Sequence, residues 1–438
     1  MKTVAALAKH TFKDSLRKKT PLVIFFLALV LLGCLQFLPA ITPDDRLKLV
    51  QVVSSKAATF FAIVVAIFLA ASSIPVDIED KTIYSVLTKP VSRLAYILGK
   101  TVGLILVTGT ILLLMSLISY GVVRLVALQA APKGLAEPLM AKIPLYASSL
   151  IHQAEGEGAA QVPPGEMAGL SGSGKMEAQW QWEGIKISDF PAEEIALQGR
   201  FLVLGRVTGG TMKFVAINPT SGQKEEALAK LKPYENFTVS FPASILAPAG
   251  ALKVVASAEE PEIYFGVTLR DLFLLKKPGS FTINFLKSVV LIFLQLLVIV
   301  PIAVVGSSFL SAPVSVTFSF FIYFCSNIVE LMRALAHSLT EPGTGVFGAS
   351  IIGHVHGPVE IPEQTLVVKI INTILKYFIY AISYILPDFS KFAPANFLAD
   401  KIDIPLRAIL LLLAYALLYA ASLLTVSFFI FRRREVGK

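Results

Sequence analysis

Long runs of apolar residues, separated by short polar breaks, dominate most of the chain. A helix needs about 20 predominantly apolar residues to cross the hydrocarbon core of a bilayer. Six runs reach that length, at residues 21–40, 57–76, 101–123, 285–307, 313–331 and 405–431. The pattern therefore predicts an α-helical integral membrane protein with six transmembrane helices, in which residues 41–56 form a short outer loop.

A seventh apolar segment, residues 365–386, has a different pattern. Its polar residues recur every three or four positions, at Thr365, Lys369, Asn372, Lys376, Tyr380 and Ser383. One continuous polar stripe is typical of a helix that lies in the membrane interface. Six spans also place the basic residues of segment 1–20 and the three arginines at 432–434 on one side. The positive-inside rule makes that side cytoplasmic, so both termini are predicted to be cytoplasmic.

Between the third and fourth spans the pattern changes to that of a strand-rich domain. No run in residues 125–281 approaches the length of a span, and short β-type runs alternate with turn residues such as Gly209-Gly210. Strands are predicted at residues 179–187, 199–207, 211–217, 236–241, 251–256 and 262–267. The pattern indicates an inserted extracytoplasmic β-sandwich-like domain, and the part before residue 175 is expected to link or wrap.

These observations divide the chain into six segments. They are an interfacial helix at 1–20, helices one to three at 21–124, the β-rich domain at 125–281, helices four and five at 282–333, an extracytoplasmic segment with the amphipathic helix at 334–404, and helix six with a basic tail at 405–438.

Composition agrees with a membrane protein. The chain is 55% hydrophobic and only 16% charged, whereas a soluble domain has about 25% charged residues. The net charge of +9 does not indicate nucleic-acid binding, because the basic residues cluster beside the apolar spans. The two cysteines, Cys34 and Cys325, lie inside apolar runs, so no disulfide is predicted.

The stretch DIEDKTIYSVLTKPVSRLAYILGK, residues 77–100, interrupts the apolar pattern between spans two and three. The charges in its first half cannot lie in hydrocarbon. Pro90 disfavours a helical conformation for the residue before it, and Ser92 is placed to cap a helix that begins at Arg93. The stretch is therefore predicted to form helix, break and helix at a membrane surface, as a docking element.

This loop resembles the first cytoplasmic loop of ABC-2-type permeases, the membrane subunits of one class of ATP-driven exporter. The residues that carry the resemblance are Glu79, Asp80, Thr82, Leu87, Thr88, Pro90, Val91, Ser92 and Arg93, followed by Gly99-Lys100. One departure is Lys81, where the family often has glycine. The resemblance implies that the nine residues between 79 and 93 form a coupling helix, which enters a groove on a separate ATPase subunit.

The resemblance also implies the partners and the location of the chain. The partners would be an ABC-type ATPase, a second copy or a similar permease, and membrane lipids, in the inner (plasma) membrane. ATP and magnesium would belong to the ATPase, with no cofactor in this chain. In the family a helix similar to 365–386 lies on the outer face near the exit of the path. Glu330 and Arg333, one turn apart near the outer end of span five, are candidates for that exit, or else a pair at a helix end in the headgroup region.

Three further motifs have weaker interpretations. Residues 169–176 nearly spell a phosphate-binding loop, but Met176 stands where the magnesium-binding hydroxyl is required. The chain is therefore not expected to be an enzyme. His354 and His356 are weak metal candidates in what is otherwise a solvated loop. Trp180 and Trp182 alternate as on a strand, and they suggest either a sugar-stacking platform or one core and one edge position.

The sequence predicts the permease subunit of an ATP-driven ABC-2-type export system. The spans contain no ladder of ionisable residues, which argues against an ion-coupled carrier. Three alternatives stay open: a membrane-anchored extracytoplasmic binding module, an intramembrane or metal-dependent enzyme, and a mechanical relay that uses ATP without transport of its own.

Overall fold

The structure is a computed structural model. It describes residues 2–37, 43–82, 91–130, 139–154, 158–163, 165–171, 176–191, 194–204, 209–232, 235–247, 250–260, 264–339, 366–399 and 401–433. These residues form two compact units. One comprises residues 1–138, 285–400 and 404–438 and is helical; the other comprises residues 139–284 and 401–403 and is rich in strands.

Ten α-helices are described. They are α1 (Lys2–Arg17), α2 (Lys19–Cys34), α3 (Pro43–Glu79), α4 (Arg93–Ala130), α5 (Phe281–Phe309), α6 (Ala312–Asn327), α7 (Val329–Ser338), α8 (Leu366–Ile385), α9 (Ala395–Ala399) and α10 (Leu406–Arg433).

Four of these helices, α3, α4, α5 and α10, are long and apolar enough to cross a membrane. Helices α6 and α7 meet at a bend of 52° and together make a fifth candidate. Helix α2 is apolar but has only 16 residues. Each of the six predicted spans thus falls on a helix, while length and composition qualify four, or five with the bent pair. The number six stays a prediction.

The short outer loop predicted at residues 41–56 is wrong. From Pro43 onward the chain is helical, and α3 continues without a break for 37 residues. Lys48 and Lys56, two of the charged residues in this segment, are exposed on one side of the helix. Leu47 and Val50 lie on the other side and are fully buried. At 1.5 Å per residue α3 is about 55 Å long, well beyond the roughly 30 Å of a hydrocarbon core.

Helix α8 confirms the predicted helix at 365–386 almost to its ends. Part of its polar stripe faces the protein, since Asn372 and Ser383 are buried, whereas Lys369 on the same stripe is exposed. The opposite face, which includes Ile374 and Phe378, is apolar and more than 60% exposed. This exposed apolar face fits a helix that rests on lipid.

The strand-rich unit has fifteen described strands. They are β1 (Met140–Ala141), β2 (Pro144–Tyr146), β3 (Ser149–Ala154), β4 (Ala160–Gln161), β5 (Ala168–Ser171), β6 (Met176–Trp182), β7 (Glu194–Gly199), β8 (Leu202–Leu204), β9 (Gly210–Ile217), β10 (Lys224–Leu231), β11 (Phe237–Pro242), β12 (Leu252–Ala258), β13 (Tyr264–Val267), β14 (Leu272–Leu275) and β15 (Gly279–Ser280).

Two antiparallel sheets form a sandwich around one core. The larger follows the order β10-β9-β12-β6-β5-β13-β8, with β3 paired to β6 and β4 paired to β3, and the smaller follows β11-β7-β14-β2. Alternate side chains of both sheets, such as Phe214 on β9 and Leu197 on β7, enter the same hydrophobic cluster. The predicted sandwich-like architecture agrees with this arrangement.

Two details differ from the sequence prediction. The part before residue 175 was expected to link or wrap, but it contains β1 to β5. Strands β10, β14 and β15 were not predicted, and only Gly199 of β7 falls in a predicted strand. A short segment from the distant end of the chain completes this unit: Lys142 bridges Ile402 in parallel, and the amide of Asn284 donates to the carbonyl of Ile402 over 2.8 Å.

Candidate functional site

The candidate coupling loop joins the end of α3 to the start of α4. Residues 83–90, which include Leu87, Thr88 and Pro90 of the predicted site, lie outside the described residues. The flanks on both sides are described. Glu79 is the last residue of α3 and, like Asp80, is exposed, while Thr82 donates its hydroxyl to the carbonyl of Asp77 over 3.2 Å.

Lys81 ends α3 in the left-handed conformation, with φ of +57°. Its backbone amide donates to the carbonyl of Ile78 over 3.2 Å, which closes the last turn of the helix. This conformation strains every residue with a Cβ and costs glycine nothing. The glycine common at this position in ABC-2-type loops therefore has a simple backbone reason, and Lys81 adopts the same turn at some cost.

Ser92 caps the helix that leaves the loop, as predicted. Its hydroxyl accepts a hydrogen bond from the amide of Ala95 over 3.1 Å, and its carbonyl accepts one from the amide of Tyr96 over 3.1 Å. The side chain thus satisfies an amide in the first turn of α4 that has no acceptor within the helix. After Val91 the chain thus enters a helix whose first turn is capped.

An ion pair joins the two helices that carry the loop. The ammonium of Lys100 lies 2.6 Å from Asp77 Oδ2, and the Tyr96 hydroxyl donates to the same oxygen over 2.5 Å. The side chains of Lys100 and Asp77 are only 12% and 20% exposed. A partly buried charge-assisted pair of this kind is stronger than a surface pair. It fixes the end of α3 against the start of α4.

These three residues were not among the predicted site residues, although two of them carry a visible signal. Asp77 and Lys100 are opposite charges at the two ends of the quoted stretch, each at the border of an apolar span. Charges at such borders are expected to find partners. Nothing in the sequence marks Tyr96, whose ring is buried and whose hydroxyl completes the pair.

Arg93 contacts a different helix from the one that it starts. Its guanidinium donates from Nη1 to the carbonyl of Phe431 over 3.0 Å and to that of Arg432 over 2.6 Å. These carbonyls belong to the last turn of α10, where they have no partner within the helix, and a cation is favourable there. The Phe431 ring is buried and stacks on Tyr96 at 5.7 Å between centroids. A predicted coupling residue thus ties α10 to the loop.

Helix α1 packs on α4 through two glycines. A Cβ added to Gly99 would lie 2.5 Å from the Cβ of Leu7, and one added to Gly103 would lie 2.6 Å from the carbonyl oxygen of Ala8. Both distances are too short for a real Cβ, so only glycine permits this approach. The glycine of the family-like pair Gly99-Lys100 makes room for α1, and the lysine holds Asp77.

A cavity of about 520 Å³ lies where α1, the end of α3 and the start of α4 meet. Thr82 and Val91, the described residues on either side of residues 83–90, both line this cavity. Its wall also carries the ionisable side chains of His10, Asp14 and Asp80. The foot of the loop thus has a recess with a mixed lining, in which ionisable groups lie beside apolar side chains such as Leu7 and Val76.

At the other end of the helical unit, Arg333 pairs with Asp388 over 3.1 Å and not with Glu330, which is exposed. The carboxylate of Asp388 is 3% exposed and also lies 3.5 Å from the ammonium of Lys391. Arg333 donates as well to the carbonyl of Ser383 over 3.0 Å. The cluster joins α7 to the turn after α8. Sequence reasoning missed Asp388 because it looked for a partner on the same helix.

The remaining candidates from the sequence are two histidines and two tryptophans. His354 and His356 lie outside the described residues, and among the described residues no group of three His, Cys, Asp or Glu side chains is placed to hold a metal ion. Trp180 and Trp182 are both in the core of the strand-rich unit, so the sugar-stacking platform and the edge position for one of them are wrong. Trp180 stacks on Phe201, and Trp182 donates to the carbonyl of Leu145 over 2.9 Å.

Comparisons with solved structures give weak likenesses only. The structure of TmCBM61 in complex with β-1,4-galactotriose is 14% identical, with 28% of this chain and 74% of that chain covered and a TM-score of 0.17. The xylanase 10B CBM22-1-GH10 modules of Clostridium thermocellum, complexed with xylohexaose, are 12% identical, with 32% and 28% covered and a TM-score of 0.19. No curated protein matches the chain.

A comparison with family models gives a clear match at the amino-terminal end. Residues 5–145 match the model described as ABC-2 family transporter protein. This region contains α1 to α4, the loop and the ion pair at its foot. This match supports the ABC-2-type permease that the loop residues predicted.

Proposed function

We propose that this chain is the permease subunit of an ATP-driven ABC-2-type export system. A separate ATPase subunit binds ATP and magnesium and docks on the loop at 77–100. The observation that carries the proposal is the bonded foot of this loop, where Asp77, Tyr96 and Lys100 join α3 to α4. The family match over residues 5–145 supports the same class.

The mechanism follows from the stiffness of the loop's supports. Helices α3 and α4 have 37 and 38 residues, and the ion pair joins them next to the loop. A push on the loop by the ATPase then moves two long helices as one body and does not simply bend the loop. Rigid-body movement of packed helices is a common way to open a path. The path opens between this chain and a second copy or a similar permease.

The proposal includes a topology. Six spans, with α2 and the bent α6–α7 pair counted among them, place both termini and the loop in the cytoplasm and the strand-rich unit outside the inner membrane. The basic residues of α1 and the arginines at the end of α10 support this orientation. The burial of both tryptophans removes the aromatic platform on which the anchored binding module depended.

Co-purification tests the proposal. The tagged full chain is expressed in its host and purified in mild detergent, as wild type and as Leu87→Asp, which places a charge on the apolar side of the predicted coupling helix. We expect an ATPase to purify with the wild type, and at least tenfold less of it with Leu87→Asp.

The matched control is Ile187→Asp, the same kind of change at a side chain of the strand-rich unit that is 50% exposed. We expect it to leave ATPase recovery unchanged. Equal recovery with Leu87→Asp and the wild type would reject the loop as the docking site. Absence of an ATPase from the wild type would reject the permease assignment.

A further inference from the structure

Helix α10 has an unusual mode of attachment. Along most of its length its side chains point away from the rest of the chain, with Leu411 and Leu418 more than 60% exposed. Its polar contacts with other elements, in contrast, concentrate in two places, at its last turn and near its middle, at Tyr415 and Tyr419. One set joins it to the loop, and the other joins it to the Asp388 cluster.

The contacts at the loop end hold the backbone of α10. Arg93 donates to the carbonyls of Phe431 and Arg432, and the guanidinium carbon lies 5.9 Å from the centroid of the Phe431 ring. Because Phe431 also stacks on Tyr96, the last turn of α10 is held from two sides by the first turn of α4. That turn follows the loop directly.

The contacts near the middle of α10, made by Tyr415 and Tyr419, hold the turn after α8. The backbone amide of Asp388 donates to the Tyr415 hydroxyl over 2.9 Å, and the Tyr419 hydroxyl donates to the carbonyl of Leu386 over 3.2 Å. Asp388 is the residue that pairs with Arg333. The middle of α10 is therefore bonded to the cluster that contains Arg333, a candidate for the exit of the path.

The two attachment points lie on one helix. Tyr415 and Phe431 are about 16 residues apart, which corresponds to roughly 24 Å along the axis. A helix keeps its length when its end is displaced, because its backbone hydrogen bonds resist axial strain. A shift or rotation at Arg93 must therefore reach the Asp388 cluster.

We propose that α10, between Tyr415 and Phe431, is a transmission rod that carries movement of the loop to the Asp388 cluster, with Arg93 and Tyr415 as the positioning residues at the two points of attachment. The proposed function supplies only the source of the force, the docked ATPase. The mechanical link itself is a property of this chain and can be measured without a partner.

The test measures a distance near the Asp388 cluster while the contact of Arg93 with the last turn of α10 is removed. Cysteines replace Leu128 near the end of α4 and Ile385 at the end of α8, both at least 75% exposed, in the full chain with Cys34→Ser and Cys325→Ser. Spin labels at these positions give the distance distribution in lipid nanodiscs. We expect Arg93→Ala to shift the distribution by several Å or to double its width, although the labels are remote from the change. Arg93→Lys, which keeps the charge but not the planar fork of donors, should give an intermediate result.

Arg433→Ala is the matched control, because it removes a cation that is exposed on the same last turn of α10. It should leave the distribution as in the wild type. If Arg93→Ala also leaves it unchanged, α10 transmits nothing and the proposal is overturned. The proposal is also overturned if Arg93→Ala alters only the distance of a second label pair, placed at the loop end by Glu79→Cys and Phe429→Cys. That result would show a local structural role for Arg93.

Tyr415→Phe tests the other attachment. Loss of the hydroxyl that accepts from the Asp388 amide should alter the distribution between positions 128 and 385 and leave the pair at 79 and 429 as in the wild type. An unchanged distribution at both pairs would overturn the far attachment. ATPase recovery with the wild type, read separately, reports on the proposed function, so a failure there leaves the distance result valid.

Discussion

The helical unit and the strand-rich unit use their polar and aromatic residues in different ways. In the helical unit the conspicuous residues of the loop turn out to make specific contacts: Ser92 caps a helix, Arg93 holds the end of α10, and Lys100 pairs with Asp77. In the strand-rich unit the conspicuous residues have structural roles. The paired tryptophans fill the core, and Gly169 and Ser171 of the phosphate-loop-like run belong to β5.

The difference has a physical cause. Among apolar spans a charged side chain is expensive, so one that is present is expected to have a partner or a task. A sandwich of two sheets needs large aromatic residues for its core and small polar ones for its turns, so the same residue types carry little information about function. A sequence motif therefore says more about function in the helical unit than in the strand-rich unit. Four predictions sharpen or break this contrast.

The largest effect is expected in the core of the sandwich. Trp182→Ala should lower the free energy of unfolding of this unit by about 3–5 kcal/mol, because it leaves a cavity and an orphaned carbonyl at Leu145. Both tryptophans of the chain lie in this unit, so Trp180 reports its unfolding in a urea titration of the full protein followed by fluorescence. Trp182→Phe should cost less than half as much. A binding role for Trp182 instead predicts a loss of less than 1 kcal/mol.

The next effect is expected at the foot of the loop. Asp77→Asn leaves the Lys100 ammonium, which is 12% exposed, without its carboxylate. The cost should be about 2 kcal/mol, below that of a fully buried pair because water still reaches it. The midpoint of thermal aggregation, followed by size-exclusion chromatography, measures it. The double variant Asp77→Asn, Lys100→Gln should recover most of the loss, and additive losses would contradict the pairing.

A smaller effect is expected where α1 meets α4. Gly103→Ala forces a Cβ against the carbonyl oxygen of Ala8 and should destabilise the protein by about 1–2 kcal/mol. Gly121 lies on the same helix with nothing within 4 Å of an added Cβ. Gly121→Ala should therefore stabilise by about 0.5–1 kcal/mol through helix propensity. Thermal midpoints of the two variants that shift in the same direction would contradict the close packing of α1.

The smallest effect is expected at Lys81. Lys81→Gly relieves a left-handed backbone at the end of α3 and should raise the free energy of unfolding by about 1 kcal/mol. Lys81→Ala removes the same charge and keeps the strain, so its thermal midpoint should stay near that of the wild type. An equal gain from both would show that the charge, and not the backbone, is responsible.

In the strand-rich unit, the outcome of the strand predictions depended on the local composition of each segment. All six predicted strands fall on β6, β8, β9, β11, β12 and β13, since each has a β-type run between turn residues. Strand β10, KEEALAKL, was missed because its composition favours a helix. It forms a strand because it pairs along its whole length with β9, from Lys224 opposite Ile217 to Leu231 opposite Gly210. The pairing with the neighbouring strand overrides the helical preference of this composition, and that preference alone does not show it.

The candidate site was predictable only in part for the same reason. Local rules identified the cap at Ser92 and the end of the break. The contacts of Arg93 with Phe431 and of Arg333 with Asp388 join residues that are far apart in the chain. Charge patterns show that such residues need partners, but the packing of the helices decides which partners they find.

The return of residues 401–403 to the strand-rich unit bears on how the protein is made. The ribosome completes residue 284 more than a hundred residues before it reaches Lys401. At roughly 5–20 residues per second this interval is on the order of ten seconds. During that time Lys142 lacks the bridge to Ile402 and Asn284 lacks its acceptor. The nascent sandwich is therefore held by its other strands until residues 401–403 are synthesised and add these contacts.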